Sequence, residues 1–129
     1  MTSTNRTLRT SLKIVEGKRP SLLDLTLREF LLDRQARNTA PGSLKFYRQK
    51  LTPFLAYLEG QGIGEPGQVT ARDIRYFLIQ LQETHHTAGG QHAYFRAIRA
   101  YFNWLDEEGE IERNPMKKVK APKVPEELL

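Results

Sequence analysis

The chain has 129 residues, of which 39% are hydrophobic, carries a formal net charge of +5 at pH 7 and contains no cysteine. Its length suits one domain held by packing alone, because disulfides, thiolate metal sites and cysteine nucleophiles are excluded. No apolar run approaches the length of a membrane span and no secretory signal begins the sequence, so we expect a cytoplasmic protein without membrane contact. The positive net charge favours a polyanionic partner such as DNA without establishing one.

Residues 1–20 combine five basic side chains with a single acid, Glu16, and show little apolar periodicity. This composition predicts a flexible basic arm that does not fold alone. The same composition also fits an organelle presequence.

A first helix is predicted where residues 26–29 (TLRE) match a capping box. In that motif a Thr hydroxyl and a Glu three residues later satisfy backbone N–H groups at the start of a helix. Leu27, Phe30 and Leu31 then follow at helical spacing, and the pattern fades after Arg37.

The second helix is expected to open at Pro41, whose missing N–H costs nothing in a first turn. Pro53 interrupts this helix and removes a helical hydrogen bond, so we expect a kink or break near Thr52. Glycines at 60, 62 and 64 end it. Its apolar stripe, the clearest in the chain, comprises Leu44, Tyr47, Leu51, Phe54, Leu55 and Leu58.

A third helix begins after Thr70, with Asp73 as its capping partner, and ends near Thr84. Residues 87–90 are predicted to form a turn before a fourth helix that stops at Gly109. The apolar residues that indicate these two helices are Ile74, Phe77, Leu78 and Leu81, then Phe95, Ile98, Tyr101, Phe102 and Leu105.

The predicted compact domain spans residues 21–115, and residues 116–129, rich in Lys and Pro, are expected to form an extended linker. No stretch of the sequence alternates between apolar and polar residues as a half-buried strand would. The sequence therefore predicts an all-α orthogonal bundle of four to five helices.

Two of these helices carry a polar stripe opposite the apolar one. Arg and Lys neutralise phosphates, while Arg, Gln and Asn pair with base edges, so such stripes suit DNA. A solvated helix surface would have the same appearance. The stripes are Lys45, Arg48, Gln49 and Thr52 on the second helix, and His92, Arg96, Arg99 and Asn103 on the fourth.

No catalytic set, nucleotide loop or cofactor motif is present. Tyr47 and Tyr101 lie on apolar stripes and are interpreted as core residues, and Trp104 as a packing residue. His85, His86 and His92 lack a carboxylate at ligand spacing, so we expect no metal site.

Residues 40–48 (APGSLKFYR) place a small residue, a proline and a serine ahead of a tyrosine, and residues 98–105 (IRAYFNWL) precede Asn114-Pro115 and a lysine-rich segment. With the third helix between them, this combination over residues 23–125 resembles the core-binding domain of tyrosine recombinases, the phage-integrase family. Two departures are Ala40, where a capping serine is common, and Pro53, in a helix that is usually continuous.

The resemblance implies a SAM-like helical domain that clamps one side of a double-stranded recombination half-site. A separate C-terminal catalytic domain of the same polypeptide would hold the other side and carry the family's Arg, Lys, His-x-x-Arg and nucleophilic Tyr. No residue of this chain matches those positions, so we expect it to lack catalytic activity. Other recombinase protomers on the DNA are further expected partners.

By the same resemblance, the DNA-facing surface combines the starts of the second and fourth helices. The lysines after the fourth helix fit a linker that passes along the duplex, and they fit a merely solvated linker equally well. The expected contact residues are Ser43, Lys45, Arg48, Gln49, Gln91, His92, Arg96, Arg99, Lys117 and Lys118.

Two alternatives of another class stay open: a helical protein-interaction module, and a phage-type regulator without recombinase activity. Salt-sensitive duplex binding would separate them from a DNA-binding domain.

Overall fold

The computed structural model describes residues 19–84 and 86–123, which form four α-helices and two short 3-10 turns, with no strand in these ranges. Helices α2 and α4 form the centre of the bundle, because each of them packs against the other three helices. The predicted all-α bundle is confirmed. The elements are α1 (Leu22–Ala36), α2 (Pro41–Gly60), α3 (Ala71–Glu83) and α4 (Ala88–Glu107), with 3-10 turns at Pro66–Gln68 and Pro115–Lys118.

The core is built from the predicted apolar stripes and is rich in edge-to-face aromatic contacts. The Phe30 ring of α1 lies 5.9 Å from Tyr101 of α4, and the Phe54 ring of α2 lies 5.1 Å from Phe77 of α3. These centroid distances and steep interplanar angles are the favoured geometry for aromatic pairs. Phe54 also lies 6.2 Å from Phe102 of α4, so aromatic contacts connect all four helices.

Helix α1 begins earlier than the sequence predicted. Its N-cap is Ser21, which forms a capping box with Asp24, so Thr26 is not the cap and Glu29 is not its partner. Thr26 instead faces the core, where its hydroxyl lies 2.6 Å from that of Tyr101. The helix ends at Ala36, in agreement with the predicted end near Arg37.

Helix α2 is not broken at Thr52, because helical structure continues on both sides of Pro53. Pro53 is exposed, and so is Gln49, whose carbonyl would have accepted the missing hydrogen bond. Water can satisfy a carbonyl on that side of the helix, so the proline costs less than it would in the core. The predicted start at Pro41 is confirmed.

Helix α4 also begins earlier than predicted. Thr87 is its N-cap and accepts a hydrogen bond from the Gly90 N–H, so both glycines at 89 and 90 belong to the first helical turn instead of a preceding turn. Its end agrees with the prediction, because Gly109 adopts a φ of 74°, a left-handed conformation that favours glycine.

The segment after Asn114 is not wholly extended. Pro115–Lys118 forms a 3-10 turn that packs against α3 and α4, and Met116 and Val119 are 6% and 7% exposed. The Lys- and Pro-rich composition concealed two apolar residues that reach the core at a three-residue spacing. Most of the predicted N-terminal arm lies outside the described residues.

Candidate nucleic-acid interface

The outer face of α4 carries the polar residues predicted for it. Arg96 and Arg99 are exposed and His92 is half-buried, whereas Ile98 and Phe102 on the opposite face are fully buried. The separation follows from the helical repeat of 3.6 residues, which returns every third or fourth side chain to the same side. This part of α4 therefore offers cations to the outside of the bundle.

The basic character does not extend along the whole helix. Asp106 is half-buried, and Glu107, Glu108 and Glu110 are exposed at the end of α4 and just beyond it. Acidic groups there repel a phosphate backbone. The surface available to a polyanion is thus restricted to the earlier turns of α4.

Helix α2 carries the second set of polar residues predicted to contact DNA. Lys45 and Gln49 are exposed one helical turn apart, and Ser43 is exposed near the helix start. Leu51 and Phe54 on the other side of α2 are fully buried. The α2 set therefore combines a cation with amide and hydroxyl groups that can donate and accept hydrogen bonds.

The two sets meet where α2 crosses α4. The Arg96 guanidinium carbon lies 5.1 Å from the centroid of the Phe46 ring, and the Lys50 ammonium of α2 lies 4.7 Å from that of Tyr94 on α4. Both distances are within the range of cation–π contacts. We name the surface formed by Lys45, Phe46, Gln49, Arg96 and Arg99 the α2–α4 face.

Arg48 lies away from this junction. It lines a groove of about 340 Å³ between α2 and α1, together with Arg28, Gln35 and Thr52. Arg48 and Arg96 therefore occupy opposite flanks of α2, although the sequence grouped them in one surface.

Two other predicted residues are partly engaged in hydrogen bonds within the protein. The Gln91 amide nitrogen donates to the His86 carbonyl at 3.0 Å, and the Asn103 side-chain oxygen accepts from the Asn114 amide at 2.9 Å. Gln91 keeps its amide oxygen and Asn103 its amide nitrogen for a ligand.

Lys117 and Lys118 are exposed on the C-terminal 3-10 turn, next to α3. The Lys118 carbonyl accepts a hydrogen bond of 2.8 Å from Arg75, and Lys118 lines a groove of about 760 Å³ with Arg72 and Arg75. Glu110 and Glu112 line the same groove, so its charge is mixed. Lys118 thus belongs to the α3 side of the domain.

Sequence reasoning missed Phe46, which connects the two polar sets, and Arg72 and Arg75 beside Lys118. Phe46 is a half-buried aromatic residue that does not belong to the apolar stripe of α2. Arg72 and Arg75 are exposed at i, i+3 on α3. The position of Phe46 outside the apolar stripe and next to Lys45 could have indicated a role at the surface. Its contact with Arg96 of α4 could not be predicted from the sequence.

The interpretation of the tyrosines agrees with the structure. Tyr101 is fully buried, and burial outweighs its hydrogen bond with Thr26 and raises its pKa to about 12. Burial also raises the pKa of Tyr57, with a smaller contribution from the Asp73 carboxylate. Tyr47 is half-buried against Phe30, with ring centroids 5.1 Å apart.

Within residues 19–84 and 86–123, no group of three metal-binding side chains lies together. His86 is instead hydrogen-bonded through Nδ1 to the Thr84 hydroxyl at 3.0 Å. His85, one of the three histidines weighed as ligands, lies outside the described residues.

None of the helices described here combines the length and the apolar character needed to cross a membrane.

Comparison with known proteins gives a consistent set of relatives. The chain is 30% identical over 87 residues to a tyrosine recombinase XerC of Oceanobacillus iheyensis, an alignment that covers 67% of this chain and 28% of that protein. It is 28% identical over 92 residues to the XerC of Roseiflexus castenholzii and 29% identical over 92 residues to that of Salmonella typhi, alignments that cover 71% of this chain and 29% and 31% of those proteins. The chain thus spans less than a third of the length of these curated relatives.

No solved structure matches the chain. Residues 26–110 match the model of the family described as "Phage integrase, N-terminal SAM-like domain". This match covers more than half of the chain and includes most of α1 and the whole of α2, α3 and α4. The chain therefore belongs to the phage integrase N-terminal SAM-like domain family of the tyrosine recombinases.

Proposed function

We propose that this chain binds double-stranded DNA as the core-binding domain of a site-specific tyrosine recombinase. It clamps one side of a recombination half-site, and a C-terminal catalytic domain of the same polypeptide holds the other side. Further protomers bind the neighbouring half-sites. The observation that carries the proposal is the α2–α4 face, where cations from two helices meet on the outside of the bundle.

The residues divide by chemistry into two roles. Lysine and arginine side chains neutralise phosphates and set the register on the duplex, whereas amide and guanidinium groups also read base edges. Phosphate contact is proposed for Lys45, Arg48, Arg96 and Arg99 and, where the segment after α4 follows the duplex, for Lys117 and Lys118. Contact with bases or sugars is proposed for Ser43, Gln49, Gln91 and His92.

Duplex binding by this chain is expected to be weak and mostly electrostatic. A domain that lacks the avidity of its partner binds with a Kd of ~10⁻⁴ to 10⁻⁶ M at physiological salt, typical of non-specific complexes. With about four phosphates neutralised, log K falls against log salt with a slope of about −3.6. Fluorescence anisotropy with a short labelled duplex across a salt series measures both quantities.

Arginine variants locate the binding surface. Arg96→Ala should weaken binding and reduce the slope by about 0.9, the value for one phosphate contact. Arg48→Ala tests separately whether the α1 flank of α2 also reaches the backbone. Arg37→Ala is the matched control, because Arg37 is an exposed arginine at the end of α1 and is not among the proposed DNA contacts. Equal losses for Arg37→Ala and Arg96→Ala would contradict the assignment to the α2–α4 face.

We also expect binding without strand cleavage. Four of the five tyrosines are buried or packed on other aromatic rings, and Tyr76 is exposed on α3. No residue of this sequence matches the family's Arg, Lys and His-x-x-Arg, which would stabilise a pentavalent phosphate. Incubation with nicked duplexes followed by denaturing electrophoresis checks this expectation. A covalent protein–DNA adduct would contradict it.

A second candidate function is a protein-interaction module. The observation that favours it is a set of exposed leucines on α1, with Leu22, Leu25 and Leu32 at 51%, 41% and 63% exposure. Exposed apolar groups of this size mark contact surfaces when they are contiguous. The salt series decides between the two, since absence of duplex binding at low salt would favour the protein-interaction function.

A further inference from the structure

The Phe46 ring stands between the two helices of the α2–α4 face. It is half-buried, its centroid lies 5.6 Å from that of Tyr47, and the Arg96 guanidinium carbon lies 5.1 Å from it. Phe46 belongs to α2 and Arg96 to α4, so this contact bridges the helices. The ring is supported on one side by the protein and meets the arginine on the other.

A cation–π contact leaves the hydrogen-bonding capacity of an arginine intact. The attraction is between the guanidinium charge and the ring face, so it uses none of the five N–H donors. No carboxylate in the described part of the chain lies within ion-pair distance of Arg96. The Arg96 donors are therefore free for a ligand while the guanidinium rests on Phe46.

The two other arginine–phenylalanine contacts each join residues of a single helix, and one of the arginines is also paired with a carboxylate. Arg34 stacks on Phe30 at 4.9 Å, but it also lies 3.6 Å from the Asp33 carboxylate and is mostly buried. Arg99 stacks on Phe95 one turn earlier in its own helix, so that contact fixes nothing between helices. Among these three arginines, Arg96 is the one that reaches a ring on another helix and is also exposed.

We propose that Phe46 is a positioning residue that holds the Arg96 guanidinium at the α2–α4 junction, ready to contact a duplex that Lys45 and Gln49 approach from α2. The proposal rests on the DNA-binding function proposed above. An unsupported arginine samples many rotamers, and ordering one on binding costs entropy. The Phe46 ring restricts the Arg96 side chain in the free protein, so Arg96 loses less conformational entropy when DNA binds.

The proposal predicts that Phe46 acts through Arg96. Phe46→Leu keeps an apolar side chain but removes the ring, and it should weaken duplex binding by about two- to fivefold, the equivalent of one exposed cation–π contact. Phe46→Tyr and Phe46→Trp keep a ring face and should retain wild-type affinity. In the Arg96→Ala background, Phe46→Leu should cause no further loss of affinity and no further change of salt slope.

Tyr57→Leu is the matched control, because Tyr57 is another half-buried aromatic residue of α2, packs on Phe77 of α3 with ring centroids 5.4 Å apart, and carries no guanidinium. It should lower thermal stability while leaving the affinity and the salt slope unchanged. In the free protein, the Arg96 side-chain proton resonances should lose their ring-current shift in Phe46→Leu and keep it in Tyr57→Leu, which reports the contact without DNA.

The outcomes distinguish the two proposals. If the wild-type chain does not bind duplex at low salt, the proposed function fails. If it binds and Phe46→Leu binds equally well, or if the losses from Phe46→Leu and Arg96→Ala add, the positioning role of Phe46 is wrong while DNA binding stands.

Discussion

At the scale of single residues, two buried hydroxyl groups join α1 to α4. The Thr26 and Tyr101 oxygens lie 2.6 Å apart, and the Thr26 hydroxyl also reaches the Leu22 and Leu23 carbonyls at 2.9 and 3.0 Å. A buried polar group without a partner would cost about 1–3 kcal/mol. The pair therefore allows a tyrosine to occupy the centre of an apolar core.

The buried Tyr101 phenol makes stability sensitive to alkaline pH. Its pKa rises from 10.0 to about 12 on folding, so between these values the unfolded chain releases a proton that the folded protein retains. The unfolded state then binds fewer protons, and the free energy of unfolding falls by roughly 3 kcal/mol as pH rises through this window, from about 1.4 kcal/mol per pKa unit. Urea unfolding at a series of alkaline pH values measures the decline.

Two phenylalanine variants isolate the Tyr101 contribution from that of other groups that titrate at high pH. Tyr101→Phe should flatten the decline, whereas Tyr76→Phe should not, because Tyr76 is 54% exposed. Parallel pH profiles for the wild-type protein and Tyr101→Phe would show that the buried phenol is not responsible.

At the scale of elements, the helices differ in how their first turns are satisfied. Ser21 and Thr70 each form a capping box with an aspartate three residues later, and the Ser21 hydroxyl also bonds the Glu59 carboxylate of α2. Helix α2 has Ala40 at its N-cap and no side-chain hydrogen bond there. The α2 start relies on Pro41 alone, which makes it the least satisfied helix start of the four.

Ala40→Ser should therefore stabilise the protein. Ala40 has φ −58° and ψ 145°, an extended conformation in which a serine hydroxyl can accept from the N–H two or three residues on. We expect a gain of about 0.5–2 kcal/mol in the free energy of unfolding. Ala56→Ser is the matched control, since Ala56 is exposed in the middle of α2 and a serine there should lower stability slightly. An equal effect of both substitutions on thermal unfolding would argue against capping.

At the scale of the whole molecule, the C-terminal 3-10 turn completes the bundle. Met116 and Val119 pack against α3 and α4, the Asn114 amide donates to Asn103, and Arg75 donates to the Lys118 carbonyl. These contacts fix the direction in which the chain leaves α4 and hold Lys117 and Lys118 at a defined place on the α3 side. Residues 116–119, which the sequence predicted to be the start of a linker, are therefore part of the packed domain.

Truncation measures this contribution. A chain that ends at Asn114 loses the buried Met116 and Val119 side chains, each worth about 1.5–3 kcal/mol, so its free energy of unfolding should fall by roughly 3–6 kcal/mol. A chain that ends at Lys123 keeps both and should match the full-length protein. Urea unfolding followed by Trp104 fluorescence compares them, and equal stability of the two truncated chains would show that the turn does not support the core.

The sequence by itself determined the all-α class, the approximate positions of the four α-helices, many of the core residues and the family. It could do so because each signal is local: apolar residues return every three to four positions, and caps, prolines and glycines act within one turn. The same local information placed Arg96, Arg99, Lys45 and Gln49 on outward faces of α4 and α2.

Only the tertiary structure decided which of these faces meet. A helical pattern gives the angle of a side chain around its own axis but not the neighbour that occupies that side. Thr26 matched a cap in sequence and became a buried partner of Tyr101, Arg48 turned toward α1, and Arg96 came to rest on Phe46 from another helix. These outcomes depend on how whole helices pack. Contacts between residues distant in sequence are set by the shapes of the two helix surfaces that meet, and a short stretch of sequence does not contain that information.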